Sequence, residues 1–192
     1  MLEQLINIDI DISLFFNSFH NDFFDILMSY ISGKFIWIPF YAFLLFLLIK
    51  QDFKNKKKLI ISIISVAMVI VLADQLSVHL FKNVFERLRP CHNPDLANIL
   101  HTVNGNCGGQ FGFISSHAAN VFALAVLLLN IFKYKRLTIT LIVWATIVSF
   151  SRIYLGVHYF GDVFVGALFG ASIGFVVYRL TKVFGSNSIQ ST

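Results

Sequence analysis

The chain has 192 residues, 57% hydrophobic and 13% charged, with a formal net charge of +5 and a mean hydropathy of +0.75. Soluble domains carry about 25% charged residues, so this composition excludes a soluble enzyme, a disordered chain and a nucleic-acid binder with a basic face. It points to an all-α integral membrane protein, a single domain over residues 1–192, in which the position of each positive charge matters more than the sum.

Residues 1–33 come first and differ from the rest. Leu5, Ile8, Ile12, Phe15 and Phe16 recur at helical spacing among Asp9, Asp11, Asn17 and His20. That pattern predicts an amphipathic helix on or in the membrane interface. A sixth span here stays open, although Asn21, Asp22 and Asp25 interrupt it. No basic region opens the chain, so it is read as carrying no secretory signal. A bilayer-crossing helix needs about 20 mostly apolar residues. Five segments are predicted to span: 35–50, 59–81, 114–132, 137–156 and 159–179. Their interiors are almost free of charge, with Asp74, Arg152 and Asp162 as the exceptions.

Orientation follows from basic residues in short loops. Lys50, Lys54, Lys56, Lys57 and Lys58 follow the first span, Lys133, Lys135 and Arg136 the third, and Arg179 and Lys182 the fifth. These lie on one side, predicted to be the cytoplasm. Lys34, Lys82, Arg87, Arg89 and Arg152 lie on the other. Residues 83–113 form the longest predicted loop, on the outer side, with Pro90, Pro94, Gly105, Gly108 and Gly109. A loop of this length in a small protein is usually functional.

Four span ends meet the outer plane, and each brings a polar group. Lys82 ends the second, Ser115, Ser116 and His117 open the third, Arg152 ends the fourth, and His158 with Asp162 opens the fifth. Ionisable groups at membrane depth are functional candidates by default. Lys82, Arg89 and Arg152 are cations suited to one polyanion, arginine as a bidentate fork and lysine as a point charge. Lys82 and Arg89, seven residues apart, share a face if the helix continues between them. Ser115 and the first N–H groups of the third span add an anion site. His158 and Asp162 are four apart, so the carboxylate can hold one imidazole nitrogen and leave the other as a nucleophile. His117, from a different helix, suits a general acid. The outer side has too few carboxylates near these residues for a two-metal site, so no metal and no other cofactor is expected.

These residues resemble the type 2 phosphatidic acid phosphatase family, which shares its site with vanadium haloperoxidases. Its first motif, Lys-x6-Arg-Pro, matches Lys82, Arg89 and Pro90. Its third, Ser-Arg-x5-His-x3-Asp, matches Ser151, Arg152, His158 and Asp162. Its second, Pro-Ser-Gly-His, reads Ile114-Ser115-Ser116-His117 here, with the proline and glycine replaced. The matches cover a core of residues 82–162. The resemblance implies that His158 attacks phosphorus, Asp162 orients it, and His117 protonates the leaving oxygen. Lys82, Arg89, Ser115, Ser116 and Arg152 would then face the phosphate.

It further implies a bacterial inner-membrane enzyme, multi-pass, with the site facing the periplasm and a membrane lipid phosphate as substrate. Undecaprenyl diphosphate ranks first as substrate, with lipid A, phosphatidylglycerol phosphate and phosphatidic acid as alternatives. Phosphotransfer to a hydroxyl would use the same site. A haloperoxidase is disfavoured by the five spans, and a scaffold by the intact motif residues.

Several features keep two readings. Gly166, Gly170 and Gly174 form a small-residue stripe that suits either a homodimer face or packing within one chain. Cys91 and Cys107 are either free or bonded, the bond closing a loop of about 15 residues and worth about 3 kcal/mol. Asp74 reads as a partner for another buried polar group. Arg87, His79, His92 and His101 have no motif position and read as structural.

Overall fold

Four helical stretches are long and apolar enough to cross a bilayer: Phe35–Asp52, Lys56–Phe85, Lys135–Tyr154 and Phe160–Val183. They come from a computed structural model that describes residues 1–186; the last six residues of the domain expected over 1–192 lie outside the described residues. The first stretch is α3 (Ile38–Asp52), led in by a short turn at Phe35–Trp37. The second is α4 (Lys56–Leu76), continuing through a π-helical turn at Ser77–Lys82 into the single turn α5 (Asn83–Phe85). After the outer loop come α6 (Ser116–Phe132), α7 (Lys135–Tyr154) and α8 (Phe160–Ser186). The five predicted spans are therefore four helices of full spanning length plus the shorter apolar α6.

The shortness of α6 fits its place. It packs most extensively on α8 and also on α7 and α4, so it is the axis of the bundle. Ala118, Ala119, Ala123 and Ala125 are fully buried on it, and these small residues let neighbours approach closely. The glycine stripe of α8 meets them. A Cβ at Gly166 would lie 2.7 Å from the Ser115 carbonyl oxygen, and those at Gly170 and Gly174 would run into the Ala119 and Ala123 carbonyls. The stripe is taken up inside the chain, so it offers no homodimer face.

The N-terminal segment differs from the single amphipathic helix expected. It forms two helices, α1 (Leu2–Asn17) and α2 (Asp22–Ser32). Asn21, read from the sequence as an interruption, is the N-cap of α2, its Oδ1 accepting from Phe24 N at 3.0 Å. Neither helix has spanning length, so the open sixth span is not formed. The polar face of α1 turns inward: Ser13 and Asn17 are buried, while Leu5, Ile8 and Phe15 are exposed. In an apolar surround this inversion is the stable arrangement, because the polar groups find partners only inside the protein. Asn17 donates to the Tyr154 and His101 carbonyls at 2.7 and 2.8 Å and accepts from His101 N at 2.8 Å.

The outer loop is held at both ends. Cys91 and Cys107 form a disulfide with Cα atoms 6.0 Å apart. An isolated antiparallel bridge pairs Leu88 with Phe111. His101 sits against Asp25, Nε2 to Oδ2 2.7 Å, and stacks on His20.

Candidate active site

The turn between α7 and α8 delivers His158. Gly156 adopts φ +67°, and a Cβ there would lie 2.8 Å from the His101 carbonyl oxygen, so both conformation and space favour glycine. The backbone N–H groups of Val157 and His158 each donate to the Arg152 carbonyl at 3.2 Å. His158 is left 1% exposed and Asp162, one turn later, 0%. Asp162 Oδ2 accepts from His158 Nδ1 at 3.3 Å and from Tyr159 N at 3.1 Å. Burial, then Arg89, Arg152 and Lys82, hold the His158 imidazole well below its ordinary pKa, so it is neutral. The Nδ1 contact to a carboxylate sets the tautomer, with the proton on Nδ1 and the lone pair on Nε2.

Arg87 supplies the contact that sequence reading missed. Its Nη1 donates to Asp162 Oδ1 at 2.9 Å and its Nη2 to Asp9 Oδ2 at 2.8 Å. The guanidinium lies over the Tyr159 ring, 4.0 Å from the centroid. No motif or periodicity links Asp9 to this site.

The cations arrive by different routes. Lys82 ends the π-helical turn. The helix does not continue to Arg89, as a shared helical face would require: Glu86 takes a left-handed conformation (φ 45°) and the chain turns away. Arg89 instead reaches in from extended backbone, 8% exposed, with Nη1 donating to the Cys107 carbonyl at 3.1 Å and Nε to that of Phe111 at 3.3 Å. The disulfide-closed loop thus holds this guanidinium. Arg152, in the last turn of α7, donates through Nη1 to Ser32 Oγ of α2. Its buried Nε has no partner among the described residues.

The two serines part company. Ser115 caps α6, its Oγ facing Ala118 N at 3.5 Å, and its own N–H donates to the Asp162 carbonyl at 2.9 Å. Its hydroxyl therefore serves the turn rather than the open space. Ser116 Oγ pairs with Ser77 Oγ at 2.6 Å.

A cavity of about 1010 Å³ brings these groups together. Lys82, Arg89, Ser116, His117, Arg152 and His158 line its head. Ser115 and Asp162, both fully buried, sit behind its wall. Below the head the wall is apolar, with Leu44, Leu48, Ile63 and Val66 of α3 and α4. Asp74, expected to pair with a buried group, lies on this wall, its Oδ2 accepting from Gln75 at 3.2 Å. Lys34 also lines the cavity, a further cation outside the motifs. Among the described residues no three His, Cys, Asp or Glu side chains gather to hold a metal. The arrangement can bind an apolar tail below and neutralise a phosphate above, beside two imidazoles.

Residues 64–185 match the PAP2 superfamily. The chain is 41% identical to a lipid A 4'-phosphatase of Bacteroides thetaiotaomicron over 93% of this chain and 79% of that protein. An undecaprenyl-diphosphatase of Sulfolobus acidocaldarius is 30% identical over 81% of this chain and 68% of that one. The crystal structure of Aquifex aeolicus LpxE shares the fold, with TM-score 0.62 at 22% identity, over 88% of this chain and 94% of that one.

Proposed function

The chain belongs to the PAP2 superfamily of phosphatases, and on that premise we propose that it hydrolyses a phosphate from lipid A at the outer face of a bacterial inner membrane. This ranking reverses the order expected from sequence, where undecaprenyl diphosphate came first. The lipid A 4'-phosphatase relative is both more similar and matched over more of the chain than the undecaprenyl-diphosphatase. The observation that carries the chemistry is the cavity, whose cationic head meets His158 and His117 above an apolar wall. The excess of basic residues at the opposite ends of the spans supports a periplasmic site.

The reaction runs in two displacements. His158 Nε2 attacks phosphorus and a P–N bond forms as the P–O ester bond breaks. His117, taking up a proton as the phosphate dianion binds beside it, gives that proton to the leaving sugar oxygen. Water then attacks the phosphohistidine, His117 takes a proton from it, and the P–N bond breaks to release inorganic phosphate. Lys82, Arg89 and Arg152 stabilise the charge spread over the equatorial oxygens, and the unpartnered Arg152 Nε suits one of them. Ser116 lines the cavity head and would turn its hydroxyl from Ser77 to meet the phosphate, while Ser115 keeps the α6 turn in shape.

Phosphate release by detergent-purified protein, measured side by side on lipid A, undecaprenyl diphosphate and phosphatidic acid, tests this. The expected result is a preference for lipid A that disappears in His158→Ala. A preference for undecaprenyl diphosphate would overturn the substrate, and activity in His158→Ala would overturn the nucleophile.

A further inference from the structure

The helix α1 lies ahead of residues 64–185, the part matched by the superfamily, yet it reaches into the wiring of the site. The first four N–H groups of a helix have no partner within it. At the start of α8 two of these positions are satisfied from α1. Phe160 N donates to Ser13 Oγ at 2.8 Å, and Gly161 N donates to Asp9 Oδ1 at 2.6 Å. Asp9 and Ser13 are one turn apart, so one face of α1 caps the helix that carries Asp162. The fit leaves no slack: a Cβ at Gly161 would lie 2.9 Å from Asp9 Oδ2.

That same Oδ2 accepts from Arg87, whose other terminal nitrogen donates to Asp162 Oδ1. Tyr159 closes the face of the guanidinium. The fork of Arg87 is thus stretched between two carboxylates, one from α1 and one behind the nucleophile. Resting on the reading of His158 as nucleophile, we infer that Asp9 and Arg87 are positioning residues that hold Asp162, and through it the His158 imidazole, in line for attack.

A lone Arg87 on Asp162 would be free to swing, since a single ion pair fixes only one end of the guanidinium. Anchored at Asp9, it presents one N–H to Oδ1 and leaves Oδ2 to His158 and the Tyr159 N–H. The charge balance matters as much as the geometry. Asp9 offsets part of the pull of Arg87 on Asp162, so the carboxylate keeps its negative charge available to the imidazole. The charged and titratable groups facing this centre are Lys82, Arg89, Arg152 and His117 from other elements, and Arg87, Asp9 and the Tyr159 phenol beside Asp162.

The signs follow. Turnover needs His158 neutral and Asp162 ionised, so the acid limb of the kcat/KM profile reports both. Removing the cation in Arg87→Gln favours their protonated forms and moves the limb to higher pH. Removing the anion in Asp9→Asn favours their deprotonated forms and moves it to lower pH. Both variants loosen the alignment, so kcat falls on the order of tenfold to a hundredfold while KM changes little. Arg87→Lys keeps the charge without the fork, and leaves the limb in place while kcat falls.

The experiment is the pH profile of phosphate release for wild type, Asp9→Asn, Arg87→Gln and Arg87→Lys, on whichever lipid phosphate the wild type hydrolyses fastest. Thermal unfolding in detergent is measured alongside. Opposite limb shifts in Asp9→Asn and Arg87→Gln support the positioning role. Limbs that stay put, or move together, reduce Asp9 and Arg87 to a structural strut. If Asp9→Asn fails to fold, the Arg87→Gln and Arg87→Lys pair decides alone: a shift in the first and none in the second supports the role, and any other result overturns it. An active His158→Ala protein would instead sink the underlying reading of the site, and a non-lipid A preference would touch the substrate alone.

Discussion

Replacing Asp162 by asparagine removes one charge and almost no volume, and the structure says how the site must respond. Three donors converge on the carboxylate: His158 Nδ1 and Tyr159 N on Oδ2, and Arg87 Nη1 on Oδ1. An asparagine offers one acceptor oxygen and one NH2. If the oxygen keeps facing His158, the NH2 points at a guanidinium 2.9 Å away, a donor set against a full positive charge. If the amide flips, the oxygen satisfies Arg87 and the NH2 faces His158 Nδ1. The second arrangement opposes only neutral groups, so it wins. His158 then accepts at Nδ1 and carries its proton on Nε2, the atom proposed to attack. The comparable loss of an orienting carboxylate in a histidine-based hydrolase is about 10⁴-fold in kcat, or about 5 kcal/mol at 1.36 kcal/mol per decade. The cost to stability is smaller, about 1.5–3 kcal/mol for a charge-assisted hydrogen bond, since Asp9 still holds Arg87. Steady-state phosphate release gives the first number, and thermal unfolding in detergent the second. A fall of less than tenfold in kcat, with the protein folded, would refute the reasoning.

The disulfide should matter to both folding and binding. Cys91→Ser or Cys107→Ser removes a bond closing a loop of sequence separation 16, lowering stability by about 3 kcal/mol and raising KM, because the Cys107 carbonyl holds Arg89; thermal unfolding and KM measure these. Gly170→Leu should destabilise by more than the roughly 1–3 kcal/mol typical of overpacking, because the new side chain meets the Ala119 backbone rather than a movable side chain; unfolding in detergent reads it, and an unchanged midpoint would contradict the α6–α8 packing. With its pKa depressed, His158 stays neutral in the folded chain while an unfolded one takes up a proton below about pH 6.5. This contribution therefore destabilises the protein as pH falls through that value, and removing it in His158→Gln should flatten the acid side of the unfolding-midpoint profile.

The spans were legible because apolar runs of this length have few other uses: α7 is offset by two residues from the expected 137–156, and α8 starts one residue from the expected 159 but runs on to Ser186, past the expected end at 179. The two full motifs were legible too from their residue types and spacing, the third because it straddles the turn between α7 and α8. What the chain does between distant segments was not. Arg87 and Asp9 are 78 residues apart, joined by an ion pair that leaves no periodic trace, and Arg87 sits two residues from a motif arginine that draws the eye instead. The division of labour between Ser115 and Ser116 turns on which residue caps α6, and both are good caps. The route from Lys82 to Arg89 stays open in the sequence, a shared face holding only if the helix continues into the loop expected from residue 83. The helix is broken by Glu86 in a left-handed turn, a conformation that glutamate seldom signals. The break between α1 and α2 was visible as Asn21-Asp22, yet polar residues in an apolar stretch read equally as an interrupted span and as a cap.

The central claim is that lipid A phosphate passes through His158. Lipid A carrying radiolabelled phosphate, mixed with the purified protein and quenched during turnover, tests it in one step. The account predicts label on the protein that is stable to base and labile to acid, located on the peptide containing His158 and missing from His158→Ala. Phosphate released at full rate with no label on that peptide, or label on another residue, would contradict it.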